Sequence, residues 1–297
     1  MTNNIKTLDS QYIANTYSRY PVQIVDGEGS ILTDENGKHY IDLGSGIGVN
    51  IFGQKDPAWI EAVQTQLHRF QHTSNLYYSA PDAELAEFLC ERTGLKKVFF
   101  SNSGAEANEC AIKAARAYAA AKKGKEWSTI VTLRDSFHGR TLTTLAATGQ
   151  DMFHQDFLPL TPGFVHAEPD DLEGLKQIVR ENRVAGILIE CVQGEGGVRA
   201  LSDAYVKGVA ELCEKEDIVF MTDEVQCGNG RTGKLYAYEH YGVLPDVVST
   251  AKGLGGGLPI GATMLGMKVE NVFTPGKNGS TFGGNPIVCA GALSILK

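Results

Sequence analysis

The sequence is short of positive charge: 27 Lys and Arg stand against 35 Asp and Glu, a formal net charge of −8. A surface that neutralises nucleic-acid phosphates needs clustered cations, so small molecules are the expected partners rather than nucleic acid. Closely spaced cysteines are also missing. The six, at positions 90, 110, 191, 213, 227 and 289, include no C-x-x-C pair. Neither a zinc site nor a disulfide framework is therefore expected, no other metal is called for, and the thiols fit a reduced, cytoplasmic setting. There is no uninterrupted apolar run long enough to span a membrane. The polar start Met1–Ser10, with Asn3, Asn4 and Lys6, lacks the apolar stretch of a secretory signal. Internal repeats, low-complexity tracts and charged tails are absent as well. The expectation is a soluble protein that stays where it is made.

What is present suits an enzyme-sized globule. At 297 residues the chain can bury a sizeable core in one large α/β domain or two smaller ones. Its 34 glycines point to loops in which backbone approaches a ligand closely. From Lys97 onward, short β-branched runs alternate with helical patterns, the signature of a mostly parallel sheet flanked by helices. Strands are expected at Val98–Ser101, Thr129–Leu133, Phe164–Ala167, Gly186–Cys191, Ile218–Thr222 and Asp246–Ser249, and helices at Ala105–Ala121 and Asp203–Glu214. Before them, Ile31–Thr33 and His39–Asp42 flank Asp34-Glu35-Asn36-Gly37 as a β-hairpin. Residues 1–50 thus read as a small N-terminal segment and residues 51–297 as a large α/β domain. The stretch Ile287–Lys297 reads as a helix that stops without a capping signal, which suggests a fragment.

Five segments carry candidate chemistry, and each also has a plain structural reading. Thr222-Asp223-Glu224-Val225-Gln226 follows an apolar strand, where open α/β sheets place ligand groups, although two acids there could simply be solvated. Ser249-Thr250-Ala251-Lys252-Gly253-Leu254-Gly255-Gly256-Gly257 offers an amine at another strand exit, or else an ordinary glycine-rich turn. A lysine attacks carbonyls only when neutral, a state that burial favours. Ser101-Asn102-Ser103-Gly104-Ala105-Glu106-Ala107-Asn108 starts a helix whose free N–H groups and dipole suit a phosphate. Ser103 and Glu106 also form a capping box, and both readings can hold together. In Phe137-His138-Gly139-Arg140 the ring can stack on a heterocycle and the guanidinium can take a carboxylate, or the two are core and surface residues. Glu190-Cys191-Val192-Gln193-Gly194-Glu195-Gly196-Gly197 shapes either a polar pocket or a solvated loop. Because all five fall just past strand ends of one expected sheet, their complementary functions together match pyridoxal phosphate chemistry. Two rival motifs fail. Gly228–Leu235 resembles a P-loop but has Leu235 where the Mg²⁺-binding hydroxyl belongs, and Gly44–Val49 lacks the sixth-position Gly or Ala of a dinucleotide fingerprint.

At these residues the chain resembles the class III, fold type I, pyridoxal-phosphate-dependent aminotransferases, and within them the acetylornithine aminotransferases of arginine biosynthesis. The resemblance runs from about residue 12 to the end. It is carried by the segments above together with Asn75-Leu76-Tyr77-Tyr78, Gly230-Arg231-Thr232-Gly233-Lys234 and Gly279-Ser280-Thr281-Phe282-Gly283-Gly284-Asn285-Pro286. It implies an α/β large domain with a mostly parallel central sheet, a small N-terminal hairpin segment, and a C-terminal subdomain that this chain lacks. The resemblance further implies that Ser103, Gly104 and Ala105 seat the phosphate, with Thr281 donated by the partner subunit of a homodimer that shares its active sites. Phe137 would stack on the ring, while Asp223, Glu224, Val225 and Gln226 would surround its nitrogen and oxygen. Lys252 would hold the cofactor as a Schiff base and act as acid and base. Arg140 and Ser280 would contact an acylated ornithine donor, and Glu195 would gate a second arginine that lies in the subdomain lacking here. The implied reaction moves the δ-amino group of N2-acetyl-L-ornithine to 2-oxoglutarate. Other expected readings are an ornithine, 4-aminobutyrate or succinyldiaminopimelate aminotransferase, or an inactive fragment serving as a dimerisation partner. Departures from the family pattern are Gly53-Gln54-Lys55-Asp56-Pro57, Cys191 where proline is common, and Asn278 in place of a usual histidine.

Overall fold

The computed structural model describes residues 5–297, so the first four residues of the polar start lie outside the described residues. The chain forms two compact units, one holding the described residues up to Leu43 together with Gly53–Lys55, the other Gly44–Phe52 and Asp56–Lys297.

The first unit carries helix α1 (Ile5–Tyr12) and an antiparallel meander, β1 (Ile24–Glu28), β2 (Ile31–Asp34) and β3 (His39–Ile41). The β2–β3 connection is the hairpin that the sequence signals, and Asp34 fixes it. Its Oδ1 accepts the N–H groups of Asn36 and Lys38, at 2.8 and 3.0 Å, and its Oδ2 accepts the Tyr40 hydroxyl. Residues 53–55 belong here because Gly29 and Gln54 exchange two backbone hydrogen bonds, and Lys55 pairs with Asp26 at 2.6 Å.

The second unit is built on a seven-stranded sheet of β4 (Lys97–Ser101), β5 (Thr129–Leu133), β6 (Phe164–Ala167), β7 (Val184–Ile189), β10 (Val219–Asp223), β11 (Val247–Thr250) and β12 (Gly261–Leu265), in the order β4-β12-β11-β10-β7-β5-β6. All neighbours pair in parallel except β12, which runs antiparallel to both β11 and β4. The sheet is therefore mostly parallel, as expected, with one strand that the sequence did not reveal. A two-stranded ribbon, β8 (Val192–Gln193) and β9 (Arg199–Ala200), carries the Glu195 loop. The helices are the short α2 (Ser45–Gly48), then α3 (Pro57–Leu67), α4 (Ala80–Thr93), α5 (Gly104–Lys122), α6 (Leu142–Ala147), α7 (Leu172–Glu181), α8 (Asp203–Lys215) and α9 (Pro286–Leu296). Among the described residues no helix is long and apolar enough to cross a membrane.

Both faces of the sheet are covered, which is why its strands read as continuous apolar runs rather than alternating ones. The period of two still sorts them. Ile187, Ile189 and Phe220 enter one core with Val206 and Val209 of α8 and Leu85 and Leu89 of α4. Leu188, Val219 and Met221 enter the other with Ala111, Ala114 and Ala115 of α5. The alanine stripe lets α5 lie close on the sheet, and Gly186 of β7 completes the fit: a Cβ there would meet the Ala115 Cβ at 2.8 Å and the Met221 Cε at 2.7 Å. That close approach brings the start of α5 to the strand ends where the site lies.

Candidate active site

The exits of β4, β7, β10 and β11, with the turn after β5, line a cavity of about 430 Å³. Ser103, Gly104, Ala105, Phe137, Arg140, Asp223, Val225, Gln226 and Lys252 all reach it, as do Asn108, His138, Glu190 and Val49. A cleft at the carboxyl ends of parallel strands is where open α/β sheets bind ligands.

The start of α5 is capped by its own side chains, and its free N–H groups open toward the cavity lining at Ser103, Gly104 and Ala105. Ser103 is extended, and its Oγ accepts the Glu106 N–H at 3.2 Å, while Glu106 reaches back to the Asn102 N–H at 2.7 Å. The first N–H groups of a helix have no intrahelical partner and carry the positive end of its dipole. Only glycine fits at position 104, because a Cβ there would stand 2.6 Å from Val225 Cγ1.

Asp223 ends β10 and is 3% exposed. Its Oδ2 accepts hydrogen bonds from Asn108 Nδ2 at 2.7 Å and His138 Nδ1 at 2.8 Å, and its Oδ1 accepts the Val225 N–H at 3.0 Å. Asn108 also donates to the His138 carbonyl at 2.8 Å and accepts from the Ser249 hydroxyl. One side chain thus ties α5, β11 and the Phe137–Arg140 turn to the carboxylate. The burial that makes this carboxylate costly is offset by these donors. Burial by itself lowers the pKa of His138, but the hydrogen bond and charge of Asp223, with the charge of Glu190, leave it raised.

Lys252 follows β11 in the left-handed region, with φ of 44°, a conformation that costs a non-glycine residue about 1–3 kcal/mol and clusters at functional sites. Asn229 braces the preceding backbone, its Nδ2 donating to Thr250 Oγ1 at 2.8 Å and to the Ala251 carbonyl at 3.0 Å. The P-loop-like segment therefore supports the lysine turn. Burial lowers the Lys252 pKa, opposed by the charges of Asp223, Glu195 and Glu190. The shift favours the neutral amine that attacks carbonyls.

Phe137 forms a wall. Its N–H donates to Glu190 Oε2 at 3.0 Å, and its ring meets Phe153 edge-on at 6.0 Å. The Arg140 guanidinium lies 4.0 Å from the Phe153 ring centre and 5.5 Å from that of Phe137. Gln226 donates to Glu195 Oε1 at 2.9 Å, so Glu195 adjoins the cavity through Gln226 without lining it.

Three other expected residues are placed elsewhere. Glu224 is fully buried, with its carboxylate turned away onto the Ala237 and Tyr238 N–H groups, each at 2.9 Å, and the Cys227 thiol. Its side chain therefore does not line the cavity: consecutive residues at a strand exit point oppositely, and Asp223 takes the cavity side. Ser280 Oγ accepts from Asn102 Nδ2 and the Gly283 N–H, each at 3.0 Å, behind the cavity lining. Thr281 is exposed and does not line the cavity. The sequence assigns no individual role to Asn108, His138 and Asn229, and to Glu190 only a place in a polar pocket. An asparagine on the alanine-rich buried face of α5 was the available signal for the first, since a buried amide requires partners.

The residues present fit pyridoxal phosphate on chemical grounds. A helix start suits the phosphate, a buried carboxylate backed by His138 suits the pyridine nitrogen, and a lysine with lowered pKa suits the aldehyde.

Comparison with known proteins points the same way. An acetylornithine aminotransferase of Haemophilus ducreyi is 51% identical over 295 residues, covering 99% of this chain and 75% of that protein. A succinylornithine transaminase of Salmonella typhi is 47% identical over 286 residues, covering 96% of this chain and 70% of that protein. An ornithine aminotransferase of Toxoplasma gondii, solved with partial occupancy of pyridoxal phosphate at its active site, superposes with a TM-score of 0.94 at 33% identity, covering all of this chain and 70% of that one. The family model for aminotransferase class-III matches residues 12–297, and the chain belongs to that family of pyridoxal-phosphate-dependent aminotransferases.

Proposed function

We propose that the protein transfers the δ-amino group of N2-acetylornithine to 2-oxoglutarate. The observation that carries this reading is the convergence of Lys252, Asp223 and the α5 start on one cavity with Arg140 among its lining residues. Arg140 is positioned by two aromatic rings rather than by an acid, so its fork is available to a substrate carboxylate. The high identity to an acetylornithine aminotransferase supports the same substrate.

When bound, pyridoxal phosphate supplies an electron sink for the carbanion formed at the amine-bearing carbon. Ser103, Gly104 and Ala105 would hold its phosphate, Phe137 would stack on its ring, Gln226 would meet its oxygen, and Lys252 would anchor it. The Asp223 carboxylate, fixed by Asn108 and His138, favours a proton on the ring nitrogen. The Lys252 amine, its pKa lowered by burial, would serve as the positioned general base and acid that moves a proton at the substrate carbon. Arg140 orients the donor. Glu195, held by Gln226, acts as the gating acid, and Ser280 assists the donor contact from behind Asn102.

The working unit in this reading is a homodimer in the cytoplasm, with Thr281 reaching the partner's phosphate seat. Leu76, Tyr77, Tyr78 and Phe282 are 88%, 71%, 107% and 61% exposed, an apolar cost that a second copy would relieve.

Similarity to a succinylornithine transaminase makes the N2-succinyl donor the second reading. Purified protein loaded with pyridoxal phosphate is assayed with N2-acetylornithine, N2-succinylornithine, ornithine and 4-aminobutyrate. The expected result is the highest kcat/KM for the acetylated donor; preference for free ornithine or 4-aminobutyrate refutes the assignment.

A further inference from the structure

Glu190 stands at the exit of β7 and has no part in the mechanism proposed above. It is 4% exposed, lines the cavity, and accepts the Phe137 N–H at 3.0 Å. His138, next along the chain from Phe137, is 2% exposed. Its Nδ1 is held by Asp223, while its Nε2 is buried and has no hydrogen-bond partner among the described residues. A buried ring nitrogen without a partner makes the ring sensitive to nearby charge, because little solvent screens it.

We propose that Glu190 is a positioning residue for the cofactor site, fixing Phe137 through its backbone N–H and, as a buried acid lining the same cavity, bearing on the charge of the His138–Asp223 pair. The inference rests on the reading of this cavity as the pyridoxal phosphate site. Burial pushes the Glu190 carboxyl up to about 7, with the His138 charge opposing and the Asp223 charge adding. Other titratable groups around the pair do not offer this. Cys191 and Cys227 are pushed well above their usual range, chiefly by burial, and His166 is pushed down to about 4 by burial and the charges of His154 and His138. Glu224 titrates in the same region but faces Ala237 and Tyr238, and Lys252 is shifted by Glu190 among others.

The test uses the full chain with histidine ring nitrogens labelled, His138 assigned through a His138→Gln control. In cofactor-free wild type, the midpoint of the His138 ring titration should lie at least about half a pH unit above that in Glu190→Gln, which keeps an oxygen to accept the Phe137 N–H but removes the charge that helps hold the His138 pKa up. Glu190→Ala loses that acceptor too, and should bind pyridoxal phosphate on the order of tenfold more weakly than Glu190→Gln by absorbance titration. A His138 midpoint unchanged or raised in Glu190→Gln overturns the proposal. Equal cofactor affinity of the two variants overturns the Phe137 part of it. The NMR readout needs no cofactor, so it decides the role of Glu190 even where the cofactor assignment fails.

Discussion

His138 Nδ1 lies 2.8 Å from Asp223 Oδ2, with the side chains 0% and 3% exposed. This pair fixes the direction of the carboxylate that the cofactor nitrogen would meet, and its burial makes each partner dependent on the other. Removing one side of a buried charged hydrogen bond leaves the other desolvated, at about 1–3 kcal/mol or more. His138→Ala should therefore lower thermal stability and weaken pyridoxal phosphate binding by roughly tenfold or more. Differential scanning calorimetry and absorbance titration check both; an unchanged affinity would show that the pair does not serve the ring.

Asn229 should act through Lys252 rather than through substrate. Asn229→Ala deletes the bonds to Thr250 Oγ1 and the Ala251 carbonyl, which hold the turn before a lysine at φ of 44°. The expected cost is about 1–2 kcal/mol in stability and a fall in kcat with little change in KM. Steady-state kinetics decide: a rise in KM alone would place Asn229 in substrate binding.

The fit of Gly104 against Val225 can be tested by a double-mutant cycle. Gly104→Ala puts a methyl 2.6 Å from Val225 Cγ1, so the helix start must shift, an overpacking cost of about 1–3 kcal/mol. Cofactor affinity should fall in Gly104→Ala and recover in part when Val225→Ala is added. Additive losses would argue that the two positions are independent.

Glu224 gives stability a pH dependence of known sign. Burial pushes its folded-state pKa up from 4.5 to about 7, against the hydrogen bonds from Ala237 and Tyr238. The folded state then holds the proton more tightly than the unfolded state. Its contribution is fully present below the unfolded value and lost as pH rises through about 7, up to ~3 kcal/mol. Glu190 shifts the same way, whereas His166, lowered to about 4, acts oppositely below its unfolded value of 6.5. The stability difference between wild type and Glu224→Gln isolates the one group. By chemical denaturation it should decline from about pH 5 to pH 8; a flat difference contradicts the assignment.

Much of this arrangement was legible in the residues. Thr129–Leu133 and Phe164–Ala167 form strands over the expected bounds because β-branched runs between turn signals leave little alternative. β12 escaped notice: Gly261–Leu265 follows a glycine-rich loop, and its antiparallel direction is set by pairing with β4 and β11 rather than by its own residues. The cavity residues were legible as polar groups at strand exits, since buried carboxylates and lysines need a reason. Spacing alone does not tell which of two adjacent acids faces the cavity, which Asp223 lines and Glu224 does not. The partners of Asp223 were not legible as partners. Asn108 and His138 lie 115 and 85 residues away from it, and only the packed sheet brings them together.

The convergence of Lys252 and Asp223 on one cofactor is tested most directly by trapping. The protein is equilibrated with pyridoxal phosphate, reduced with borohydride, digested and sequenced by mass spectrometry. A phosphopyridoxyl label on Lys252, missing from Lys252→Ala and reduced in yield by Asp223→Ala, is the predicted result. A label on another lysine, or a yield indifferent to both substitutions, would contradict it.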